Sequence, residues 1–133
     1  MKLDFSKVLR EQAEKIQDEN VARLLAGQTV AGGGVAPRKD EPAGTPGVRT
    51  GELLRALSRR DNVRVGPLWL RVTVGRDQLV KWVVFNAGRT RRGTQPARPV
   101  SGISEARYAE VATEVARELK AQLVRALRAR AKS

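Results

Sequence analysis

The chain has 133 residues, is 41% hydrophobic but only 4% aromatic, and carries a net charge of +12, which fits one domain with a modest core of Leu, Val and Ala. It contains neither Cys nor His, so thiol and imidazole nucleophiles, disulfides, the usual zinc ligands and the commonest general base are excluded. No apolar run approaches the roughly 18 to 20 residues that span a bilayer, and the charged start MKLDFSKVLREQ lacks a signal-peptide apolar stretch, so a soluble, unexported chain is expected.

The placement of charge is more informative than its size. Residues 1–48 hold seven Lys/Arg and seven Asp/Glu, leaving 19 of the 26 basic and 7 of the 14 acidic residues in the remainder, which carries the whole +12. Such a surface attracts polyanions and acidic partner faces, or else serves as a solubilising shell.

From Asp4 to Ala26 the apolar residues Phe5, Leu9, Ala13, Ile16, Val21, Leu24 and Leu25 recur at helical spacing, and Gly27 stands where a C-terminal stop belongs. The spacing predicts a narrow amphipathic helix that packs on a sheet or a neighbouring subunit. Gly27 to Gly47 then holds six of the twelve glycines and three of the six prolines, so a flexible loop is expected over 27–47, disordered or ordered by another chain. Its GGGVAPRK run lacks the Lys-Ser/Thr pair of a phosphate loop and follows no apolar strand.

TGELLRALSRR reads as a short helix with Thr50 as N-cap, Glu52 in the first turn and Leu53, Leu54 and Leu57 buried, leaving Arg55, Arg59 and Arg60 for solvent or a partner. From Asn62 the period switches to two: Leu68, Leu70, Val72 and Val74 share one face, while Trp69, Arg71 and Thr73 share the other. Gly75 to Asp77 supplies a turn, and QLVKWVVFN is apolar on both faces and reads as a covered strand. With Gly66-Pro67 breaking the first stretch, the pattern predicts a three-stranded antiparallel sheet.

Arg89, Arg91 and Arg92 follow on an exposed loop, and Pro96 and Pro99 restrict Gln95 and Arg98 to extended backbone. Arg98 is therefore expected on a rigid rod, pre-organised for a fixed protein contact. The last helix is expected from Ser104, as N-cap, to about Ala129, with Tyr108, Val111, Val115, Leu119, Leu123 and Leu127 as its apolar stripe. Glu105, Glu110, Glu114 and Glu118 fill its first half, and every later charge is basic: Lys120, Arg125, Arg128, Arg130 and Lys132. That polarity matches the helix dipole. The fold expected is α+β in a single domain over 1–133: a small antiparallel sheet of about three strands covered by the long C-terminal helix, with the N-terminal helix beside it.

TGELLRAL, a hairpin ending in VVFNAG, a basic loop, and PARPVSGIS before an amphipathic C-terminal helix together resemble the phage virion morphogenesis proteins, the Mu-type tail-completion and related minor tail components of tailed bacteriophages. The likeness covers residues 49 to 133. It departs where no His precedes the aromatic-Gly ending and where Val100 stands in place of Phe. The resemblance implies a non-catalytic structural protein of the virion neck or upper tail, assembled in the bacterial host cytoplasm, with no cofactor, metal or membrane. It implies a ring, hexameric rather than dodecameric by preference, joined to neck or connector and tail tube or tail terminator proteins.

Arg89, Arg91, Arg92 and Arg98, stiffened by Pro96 and Pro99, together with Arg55, Arg59 and Arg60, would meet those partners, while Arg125, Arg128, Arg130 and Lys132 would face partners or passing DNA. A basic nucleic-acid-binding domain is the rival reading, though aromatics for stacking are few and no helix concentrates base-reading side chains near its N-terminus. A hydrolase ranks last, because Glu52, Asp61 and Asp77 are dispersed.

Overall fold

The computed structural model describes residues 2–37, 41–42, 44, 51–75, 78, 82, 85–90, 93–94 and 97–132, with backbone only at 89–90 and 93–94. Helix α1, Ser6–Ala26, forms where the helical spacing lies and buries Leu9, Ala13, Ile16 and Leu24. The Asp4 carboxylate accepts the Ser6 N–H at 2.9 Å. Gly27, at φ 66°, ends the helix in the left-handed region that glycine adopts without a Cβ clash.

Helix α2, Glu52–Ser58, starts from Gly51; the expected cap, Thr50, lies outside the described residues. A 3-10 turn at Arg60–Asn62 leads into strand β1, Val63–Val65, antiparallel to β2, Leu70–Val72, so that Arg64 stands directly opposite Arg71. The connection is a tight turn in which Gly66 N–H donates to Trp69 O at 2.9 Å. A second ribbon pairs β3, Arg89–Thr90, with β4, Gly93–Thr94. Helix α3 spans Glu105–Lys132, and the Ser104 hydroxyl caps it by accepting the Arg107 N–H at 3.2 Å.

The α+β class and the two flanking helices match the sequence reading, but the sheet is smaller. Among the described residues it consists of two-stranded ribbons, and the expected third strand is replaced at Trp82 and Phe85–Ala87 by helical backbone. An apolar run without alternation fits a buried helical segment as well as a strand. Here Trp82 and Phe85, three residues apart, both turn toward the core. Alternation survives in the first hairpin, where Leu70 and Val72 are half-buried and Val74 is buried while Trp69, Arg71 and Thr73 are exposed. Leu68 falls in the turn and is exposed rather than inward-facing.

The helix over the sheet is also different. Helix α1 packs against β1, β2, α2 and α3, so the sheet face is already occupied. Helix α3 lies on α1 and has no fully buried residue. Finally, residues 28–37 are ordered by their own chain. Gln28 bridges to Gly34, Val35 N–H donates to Gly27 O at 2.8 Å, and Val35 enters the main core with Leu24, Ala56, Leu57, Val74, Phe85 and Val100. The flexible loop expected over 27–47 therefore does not hold for this part.

Leu24 is completely buried in that core. Leu24→Ala should lower unfolding free energy by about 2–5 kcal/mol through lost burial and the cavity left behind, measured by urea denaturation.

Candidate functional site

The PARPVSGIS segment closes the molecule on itself. Arg98 is only 7% exposed; its guanidinium donates to the carbonyls of Ala36 at 3.1 Å and Pro37 at 3.3 Å and lies 5.7 Å from the Phe85 ring centre. Its backbone N–H donates to Phe85 O at 2.9 Å, and Pro99 O accepts the Val30 N–H at 2.8 Å. Val100 is buried. Ser101 Oγ accepts the Trp82 indole N–H at 3.1 Å, and Ser101 N–H donates to Asn86 Oδ1 at 3.0 Å. From α1, Arg23 donates to Val100 O at 2.7 Å and Gly102 O at 2.9 Å, while Asn20 Oδ1 accepts the Gly102 N–H at 3.1 Å. The segment thus ties α1, the 28–37 loop and the Trp82–Ala87 stretch together. Arg98 is corrected from an outward partner contact to an internal strut, because a buried guanidinium needs carbonyl acceptors and this loop supplies them.

Two further arginines are engaged in the same way. Arg107 reaches Glu19, Glu110 and, at 3.0 Å, the buried Gln12 Oε1, fastening α3 to α1. Arg60, expected for solvent or a partner, donates to Gln17 Oε1 at 2.6 Å and to Asp18 at 2.9 Å. The Asp18 hydrogen bond raises its pKa above the ordinary arginine value. Arg23 is pushed the other way, down, by burial that Glu19 partly offsets.

Arg59 pairs with Asp61 at 2.8 Å and Arg125 with Glu118 at 3.2 Å; both pairs are exposed enough to contribute little. Arg55, Arg128 and Lys132 are exposed and make no ion pair within the described residues, Arg130 is exposed on the same helix end, and Pro99 is exposed beside Arg98. Arg91, Arg92 and Pro96, and the side chain of Arg89, lie outside the described residues. The expected contacts do not converge on one site: Arg55 to Arg60 border α2, and Arg125 to Lys132 end α3.

A different cluster does form, at the end of the molecule where α1 begins. Phe5 N–H donates to Pro67 O at 2.9 Å. Asp4 N–H donates to Gln122 Oε1 at 3.2 Å, and Gln122 Nε2 returns a bond to Asp4 O at 2.6 Å. The β1–β2 turn and α3 at residue 122 therefore meet on Asp4 and Phe5, just ahead of α1, and α3 runs about 15 Å further at 1.5 Å per residue.

Around this junction Leu68, Trp69, Leu123 and Leu127 are 70%, 49%, 42% and 65% exposed, four of the six large hydrophobics left exposed among the described residues. The Trp69 indole lies against Gly66, where an added Cβ would stand 2.3 Å from its Nε1, and the Arg71 guanidinium is 5.7 Å from its ring centre. The clue was the Gly66-Pro67 break. Once it is read as a tight turn, residues 64 and 71 fall opposite each other and 68–69 become a tip.

No group of three or more His, Cys, Asp or Glu among the described residues could hold a metal ion, and no described helix is long and apolar enough to cross a membrane. Compared with protein-family models, curated proteins and solved structures, the chain matches none.

Two predictions follow from these contacts. Arg98→Ala strands two carbonyls and should cost about 2–3 kcal/mol in urea unfolding, the scale of buried hydrogen bonds to a charged group, whereas exposed Pro99→Ala should stay within about 0.5 kcal/mol. The second concerns pH. The Ser6 hydroxyl and N–H hold the Asp4 carboxyl below its ordinary 3.8, and the Gln122 amide and then Arg125 hold Glu118 below 4.5. Groups lowered on folding contribute stability that is present above the unfolded pKa and lost as pH falls through the folded one. With no His in the chain, the melting temperature should stay level from pH 9 to about 5 and fall below about 4.5, followed by circular dichroism.

Proposed function

We propose that the chain is a structural protein of a tailed-bacteriophage virion, acting in tail completion or head-tail joining as one subunit of a ring at the neck or upper tail. The supporting observation is α3: 28 residues with none fully buried, and with Tyr108, at the head of its apolar stripe, 62% exposed. A helix with such a stripe ordinarily covers it, so the subunit is completed by neighbours. A heterologous contact that closes on itself gives a ring, with neck and tail-tube or terminator proteins above and below. The resemblance of TGELLRAL and PARPVSGIS to virion morphogenesis proteins supports the same reading.

Two measurements test it. Native mass spectrometry of the full chain should give a closed ring, hexameric by preference, and a monomer at every concentration tried would count against assembly. Micrographs of infections lacking the protein should show unjoined heads and tails, and normal infectious particles would overturn the reading.

A further inference from the structure

The pole where α1 begins combines exposed apolar side chains with cations that make no ion pair among the described residues. Leu68 and Trp69 crown the hairpin, Leu123 and Leu127 lie one turn apart on α3, and the hydrogen bonds from Phe5 to Pro67 and between Asp4 and Gln122 tie both elements to adjacent residues just ahead of α1. Arg64 and Arg71 face each other across β1 and β2, a like-charge pair that costs free energy unless an anion lies over it. On α3 the charges beyond Glu118 are all basic, and Arg128 and Lys132 make no ion pair within the described residues. Among the described residues the nearby carboxylates are engaged within the chain, Glu118 with Arg125 and Gln122 and Asp4 with Ser6.

We propose that this pole docks an acidic amphipathic segment of another protein, its leucine-type side chains covering Leu68, Trp69, Leu123 and Leu127 and its carboxylates meeting Arg64, Arg71, Arg128 and Lys132. Trp and Arg are the residues that most often dominate protein interfaces, and Trp69 is held for docking by Gly66 behind it and Arg71 over it. A second copy presenting the same pole would set arginines and lysines against their own kind. Duplex DNA would satisfy the cations but leave the leucines in water. An anionic bilayer would bury the polar Asp4–Gln122 seam among acyl chains that cannot hydrogen-bond to it, whereas a protein segment can meet it with polar groups. The inference does not depend on the virion reading.

The test uses the full chain and four probes compared at matched salt by fluorescence anisotropy or flotation: a fluorescein-labelled Leu/Glu peptide with Leu at i, i+3, i+4 and i+7, a shuffled isomer of it, and, separately, duplex DNA and phosphatidylglycerol vesicles. The amphipathic peptide should bind about tenfold or more tighter than its isomer. Leu123→Ser with Leu127→Ser should remove that preference at unchanged helicity, since neither side chain is buried. Arg128→Gln with Lys132→Gln should weaken binding chiefly at low salt. Equal binding of the two peptides, an unchanged preference in the leucine variant, or tighter binding of DNA or vesicles would overturn the proposal, and none of these outcomes bears on whether the chain forms a ring.

Discussion

The reach of Arg23 from α1 to the carbonyls of Val100 and Gly102 is the contact on which the architecture rests. Among the described residues helix α1 packs against β1, β2, α2 and α3 alike, and these bonds fix where the returning chain crosses it. Asn20 adds the reciprocal bond to Gly102 N–H, while Val30 packs tightly enough on Gly102 that an added Cβ would stand 3.0 Å from it. With the crossing fixed, Ser104 is placed to start α3, and Arg107 is placed to reach Glu19. A core with few aromatics, built instead on Leu, Val and Ala, has limited apolar area to specify geometry; directional hydrogen bonds from guanidinium groups supply what packing alone leaves loose.

This changes the meaning of a charge of +12. Arg23, Arg60, Arg98 and Arg107 are consumed within the subunit, each on several acceptors, and an arginine is suited to that use because its planar fork satisfies two or three oxygens at once. Among the cations left over, Arg64 and Arg71 stand on the outer face of the first hairpin, near the exposed Trp69, and Arg128 and Lys132 lie along the end of α3 with the exposed Leu123 and Leu127.

The sequence made legible what depends on local pattern. Helical spacing and Gly27 marked α1, Ser104 marked the start of α3, and Gly66-Pro67 marked a break between strands. It misled where two structures share one pattern. The run from Leu79 to Phe85 is apolar at every position but Lys81, so nothing in its period separates strand from helix, and tertiary packing of Trp82 and Phe85 decides. The stripe on α3 was read as a cover for the sheet because the sequence does not reveal that α1 takes that place first. Arg98 looked like a displayed side chain because flanking prolines speak of stiffness, not of direction; its burial follows from carbonyls of Ala36 and Pro37, some sixty positions earlier, which no local signal connects to it. The docking pole was visible only in pieces, since Leu68 and Leu123 are brought together by contacts to Asp4 and Phe5.

The pairing of Asp4 with Gln122 spans 118 positions. A closure of that range brings nearly the whole chain between its two ends, and contacts so remote form late because the intervening loop must be gathered first. During synthesis α1 emerges before α3, so until α3 follows, the side of α1 that carries Gln12 and Glu19 has no Arg107 to meet it.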